Sequence, residues 1–207
     1  MTATATGQAK RRQRTHDALV EAASALLGEG RTHATIEEIT TRAGVGFGSF
    51  HNHFASREDL FREAVLATLE NFGTLLTAAA AGIEDPAERF ARSFRLCGRL
   101  AVSSPELLAP LDTIGTEALV VDRGLRPLAL ADLRRGVETG RFVEVDPELL
   151  LASAGGALLG LIRLLSHDRS IDGISATDTV TERVLCLLGV APQEAHILAT
   201  TPLSQST

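Results

Sequence analysis

Tryptophan and tyrosine are absent from this 207-residue chain, which also has only one methionine and two cysteines. Cys97 and Cys186 stand far apart and form no CxxC, so neither a disulfide framework nor a cysteine-based zinc site is indicated. An apolar leader is missing as well: Met1 to Gly7 is rich in threonine and alanine, and a reducing cytoplasm is the default location. The longest charge-free apolar stretch, 149–162, falls short of the ~20 residues a helix needs to cross a bilayer, so a soluble protein with no membrane partner is expected.

Catalytic signatures are equally scarce. There is no HExxH, no GK[ST] of a phosphate loop and no GxSxG elbow, so metalloprotease, nucleotide-binding and serine-hydrolase readings have no residues to name. Gly44, Gly46 and Gly48 superficially match a dinucleotide loop, but a helical segment precedes them where a strand is required. Four of the six histidines fall in the first 53 residues, yet His51 and His53 are two apart on a helix and diverge, unlike an i,i+4 ligand pair. The expectation is a protein that is not an enzyme and holds no metal or cofactor.

What is present is ordinary globular chemistry, 44% hydrophobic and 22% charged, enough to fill a core and to exclude disorder along the whole chain. A formal net charge of −6 excludes a uniformly basic nucleic-acid coat. The charge is polarised, however. Lys10, Arg11, Arg12 and Arg14 lie within the first 16 residues with no acid among them, whereas residues 61–207 are net acidic.

Almost every segment longer than ten residues reads at helical period, and no β-branched alternating run of useful length occurs, so the fold is predicted to be all-α. TIEE at 35–38, SRED at 56–59 and DPAE at 85–88 each place a side-chain oxygen at an N-cap and a carboxylate three residues on. Helices are predicted near 13–27, 36–43, 46–53, 56–81, 86–102, 105–111, 116–139, 147–166 and 175–189. An arm over 1–14 precedes them and a frayed tail follows from about residue 200. The pattern divides into a small N-terminal domain, 1–60, and a larger helical domain, 61–207.

Two short helices joined at Gly44 and packed on a longer first helix make a helix-turn-helix unit, whose second member fits a DNA major groove. Ile36, Ile39, Val45, Phe50, Phe54 and Phe61 can form its core, and four of the eight phenylalanines fall between Phe47 and Phe61. The run TIEEITTRAGVGFGSFHNHFASREDLF, from Thr35 to Phe61 without a gap, resembles the DNA-binding signature of TetR-family transcriptional regulators.

That resemblance implies that Phe47, Gly48 and Ser49 face the bases, and that His51 and His53 lie at the phosphates with Asn52 in the same DNA-facing segment. It implies that Thr35 caps the second helix and touches the backbone, and that Arg57 meets another phosphate. Lys10, Arg11, Arg12 and Arg14 would reach along the adjacent backbone or into the minor groove. His51 stands where the family commonly has tyrosine, which raises the expectation of pH sensitivity. Phe47 offers no hydrogen bond to a base, so DNA shape and contact with thymine methyl groups gain weight.

The helix over 147–166 is apolar around most of its circumference, with Ala152, Gly156 and Gly160 as a small-residue stripe; Val180, Val184, Leu187 and Leu188 stripe the last predicted helix. The pair reads either as a monomer core or as one half of a four-helix dimer interface. The resemblance implies the dimer, which also sets two recognition helices about 34 Å apart on palindromic double-stranded DNA. It further implies a pocket for a small-molecule effector beyond residue 61. Candidate lining residues are Phe72, Phe90, Phe94, Cys97, Leu111, Ile114 and Leu158, each of which also reads as core, with Arg95, Arg99 or Arg163 as a partner for an acidic ligand group. The expected function is a dimeric repressor released from its operator by an apolar or aromatic effector. The alternative is an all-α small-molecule carrier or enzyme with a structural N-terminal cap.

Overall fold

The computed structural model describes residues 2–105 and 114–203. It divides into two compact units, Met1–Thr68 and Leu69–Thr207, a boundary eight residues later than the one drawn from sequence. All regular structure among the described residues is helical.

In the first unit α1 spans Thr2–Gly28. The predicted arm over 1–14 is therefore helix from Thr2 onward, a correction with a simple cause: the alanine, glutamine, lysine and arginine residues are good helix formers and outweigh Gly7 and the three threonines before it. Leu19, Ala22, Ala23, Leu26 and Leu27 form its buried stripe. The helix α2, Ile36–Arg42, starts from a full capping box: the Thr35 hydroxyl accepts from Glu38 N, and Thr35 N donates to the Glu38 carboxylate at 2.7 Å. It stops in a Schellman motif, with Gly44 at φ 66°, Gly44 N donating to Thr41 O and Val45 N to Thr40 O.

Helix α3 is only Phe47–Phe50, shorter than the predicted 46–53. Bonds from Asn52 N to Ser49 O and from His53 N to Phe50 O tighten the chain into a turn that drops Phe54 into the core beside Phe50. Helix α4, Arg57–Ala79, begins behind Ser56, whose hydroxyl accepts from Asp59 N, and runs on beyond Thr68.

The second unit adds α5 (Pro86–Ser103), a 3-10 turn (Gly115–Leu119), α6 (Arg126–Glu138), α7 (Pro147–His167), α8 (Gly173–Leu187) and α9 (Pro192–Thr200). The single helix predicted over 116–139 is broken, because Gly124 takes φ 67° and Pro127 can begin α6 but not continue a preceding helix. The helix predicted over 105–111 falls almost wholly outside the described residues. Between the last predicted helix, 175–189, and the tail expected from about residue 200, the structure adds α9: Pro192 starts it, and Ala195 and Ala199 are fully buried.

Helix α5 packs on α6, α7, α8 and α9, with Phe90, Phe94, Leu133, Leu151, Val184 and Leu188 in one core. Gly98 lets α5 approach α8 so closely that a Cβ there would overlap buried Thr177. Ion pairs tie the layers: Arg95 Nε and Arg99 Nη2 to Asp178 at 2.9 and 2.8 Å, and Arg141 Nε to Asp85 at 2.7 Å. Length and composition alone would let α7 cross a membrane, but one of its faces is core: Leu150, Leu151, Ala154, Leu161 and Leu165 are buried within the unit.

Candidate nucleic-acid interface and ligand cavity

In the first unit, buried and exposed residues alternate along the segment from Phe47 to Phe54 as one side of a helical turn requires. Phe50 is fully buried and Phe54 nearly so, and they form a floor against which the backbone is held. Phe47, 56% exposed, stands outward together with Gly48, His51 and Asn52; Ser49 and His53 are half-buried at the edges. The Phe47 and Phe50 rings meet His51 edge-on at 6.1 and 5.2 Å, which fixes the imidazole on the outer side.

The cations expected around this segment are placed individually. Lys10, Arg11, Arg12 and Arg14 are exposed on α1, and Arg12 Nη2 donates to Asn52 O. Burial, then Arg12 and His16, hold the His53 imidazole below its ordinary value, while the His16 ring stacks on Phe54 at 5.1 Å. The Arg57 guanidinium is held at the start of α4 by Glu58 and lies 5.8 Å from the Phe61 ring centre. Thr35 is exposed with its hydroxyl engaged by Glu38, which in turn binds Arg31. The Thr35 backbone N–H, the Thr35 hydroxyl and Arg31 keep the Glu38 carboxyl below the usual carboxylate range.

In the second unit two adjoining cavities of about 80 and 100 Å³ lie among the helices. Cys97, Leu125, Ala129, Leu151, Gly155 and Leu158 line both. Of the candidates named from sequence, Phe90 and Phe94 line the first lobe, Phe72 the second, and Cys97 and Leu158 both. Ile114 is buried but lines neither, and Leu111 lies outside the described residues. Arg95 and Arg99, read as partners for a ligand acid, are instead engaged by Asp178 across α5 and α8.

Sequence reasoning missed Ser93 and Asp132 in the first lobe. The signal for Asp132 was a lone acid beside the buried Leu130, Leu133 and Gly136 on α6. Burial pushes the Cys97 thiol up to about 12.

The stripe read on α7 is open. Ala152, Gly156 and Gly160 are exposed, nothing lies within 4 Å of a Cβ built on either glycine, and Leu149 and Leu164 flank them at 62% and 49% exposure. On α8, Leu187 is half exposed, but Val184 and Leu188 at its C-cap are buried in the unit's own core and Val180 packs against that core. A period of 3.6 cannot by itself tell which of two neighbouring stripes on a helix faces inward.

Residues 19–64 match the family described as bacterial regulatory proteins, tetR family, and residues 85–201 match the tetracyclin repressor-like C-terminal domain. No curated protein matches the chain. Among solved structures, RolR in complex with the ligand resorcinol is 31% identical over 96% of this chain and 100% of that one, with a TM-score of 0.84. SmeT, the repressor of a Stenotrophomonas maltophilia multidrug efflux pump, is 19% identical over 83% and 89% of the two chains at a TM-score of 0.60. The fatty acid degradation regulator FadR from Bacillus halodurans is 20% identical over 82% and 97%, at 0.61; these last two share the fold. With its N-terminal helix-turn-helix and its C-terminal regulatory domain both matched, the chain belongs to the TetR family of DNA-binding transcriptional regulators.

Proposed function

We propose that the protein is a cytoplasmic, homodimeric repressor that binds a palindromic operator and is released by an apolar or aromatic effector, without enzymatic activity. The observation that carries the DNA reading is the outward strip of Phe47, Gly48, His51 and Asn52 over the buried Phe50 and Phe54 floor. Gly48 admits close approach to base edges, and Ser49 supplies a hydroxyl. His51, His53, Arg57, Thr35 and the α1 cations Lys10, Arg11, Arg12 and Arg14 serve the phosphates.

The dimer reading is supported by the open face of α7, where Ala152, Gly156 and Gly160 leave room for a second backbone, with Leu187 on α8. Val184 and Leu188 stabilise each protomer from within. Apolar walls with two phenylalanines support a neutral aromatic effector, and RolR, which holds resorcinol, is a related chain with a small aromatic ligand. Helix α4 carries Arg57 at its start and Phe72 and Leu76 at the cavity walls. Ligand and operator that prefer different positions of α4 weaken each other's binding equally, typically by ~1–3 kcal/mol.

Selection of bound DNA from a random pool, followed by a salt-dependent gel shift, tests this. A palindromic consensus bound by two protomers is the expected result. Binding without sequence preference rejects the repressor in favour of a carrier with a structural N-terminal cap.

A further inference from the structure

Hydroxyl groups on the helices of this protein habitually return to their own backbone. Thr68, Thr77, Ser153, Ser166 and Thr177 each donate to the carbonyl four residues back. Ser93, on α5 in the wall of the first lobe, makes no hydrogen bond among the described residues. Asp132 meets the same lobe from α6, with its side chain only 10% exposed. Its Oδ1 accepts from Arg89 Nε at 3.2 Å, and Arg89 spends Nη1 on Ala80 O. No hydrogen bond reaches Oδ2 among the described residues. An otherwise apolar cavity thus retains one unspent hydroxyl and one unspent carboxylate oxygen.

The charges at its walls are already neutralised. Asp132 is paired with Arg89. Arg126, at the second lobe, gives Nε to Leu119 O, Nη1 to Asp122 and Nη2 to Glu148. A ligand carboxylate or ammonium group would therefore be taken out of water against leucine and phenylalanine with no counter-ion left to meet it. Phe90 and Phe94, with ring centres 5.7 Å apart, offer an aromatic ring edges and faces to pack on.

From these groups we infer that the cavity selects an uncharged aromatic molecule bearing a hydroxyl, which donates to Asp132 Oδ2 and accepts from the Ser93 hydroxyl. This rests on the effector reading proposed above and names the chemistry of the effector. A ligand of the same shape without the O–H leaves a buried carboxylate oxygen unpaired, and such a site rejects it strongly.

The test uses the full chain, titrated calorimetrically at neutral pH with 4-propylphenol, 4-propylanisole and 4-propylbenzoate. The phenol is expected to bind about 100-fold more tightly than the anisole, and the benzoate least of all. Ser93→Ala should lower phenol affinity about tenfold and leave anisole unchanged. Replacing both charges, Arg89→Leu with Asp132→Leu, should bring phenol and anisole together, with a thermal melt confirming that the double variant folds. Equal affinity for phenol and anisole in the unaltered chain, or preference for benzoate, overturns the hydroxyl assignment while leaving an occupied effector cavity. Failure of all three probes to bind, with no shift in melting temperature at millimolar concentration, overturns the cavity reading and the inference together.

Discussion

Arg12 donates through Nη2 to the main-chain carbonyl of Asn52 at 3.4 Å, so a cation of the first helix closes the turn that follows α3. The bond is long and exposed, and its contribution to stability is below ~1 kcal/mol. Arg12→Ala is expected to loosen amide exchange protection at Asn52 and His53 and to weaken DNA binding as well. Lys10→Ala should weaken DNA binding alone. Identical exchange rates in Arg12→Ala and the unaltered protein would show the bond to be idle.

Stability of the N-terminal unit is expected to fall between neutral and mildly acid pH. His53 is held below its ordinary 6.5 by burial and then by Arg12 and His16. As pH drops through 6.5 the unfolded chain takes up the proton first, so stability present above that value is lost as pH approaches the folded one. Melts at pH 7.5 and pH 5 should therefore differ by less in His53→Gln. An unchanged difference assigns the titration to other groups.

Arg57 and Ser49 separate positioning from reading. Arg57→Ala is expected to weaken every DNA sequence alike and to reduce the slope of log affinity against log salt by about one. Ser49→Ala should instead reorder the preferred sites. A uniform loss in Ser49→Ala would remove it from the base-reading set.

Exposed Gly156 and buried Leu188 give opposite signatures. Gly156→Arg meets open space in the protomer and adds about 1 kcal/mol of helix propensity, yet it should convert the dimer to monomer in sedimentation. Leu188→Ala opens a hole in the core and should cost about 2–5 kcal/mol while preserving the association state of whatever remains folded. A dimeric Gly156→Arg protein would move the interface elsewhere.

Local signals made the first unit readable, because they are chemical as well as periodic. Thr35 with Glu38, and Gly44 at positive φ, mark the ends of α2 whatever the tertiary context. Where the choice belonged to packing, the sequence was ambiguous. Val184 and Leu188 lie on the same helical period as a surface stripe would, and only their neighbours Leu133, Leu151 and Phe142 make that side the interior. The nine-residue α9 is anchored by two alanines, too faint a pattern to stand out from a tail. Ser93 and Asp132 carry no motif, and their importance arises from facing one void across two helices.

Cys97 gives the cavity a wall of sulfur that behaves as hydrocarbon. With its thiol pushed up to about 12 and its side chain buried, almost none of it is thiolate at physiological pH. It is the thiolate that attacks peroxide and electrophilic compounds, so they meet almost no nucleophile there. To a molecule that enters the cavity, Cys97 is therefore an apolar contact rather than a nucleophile.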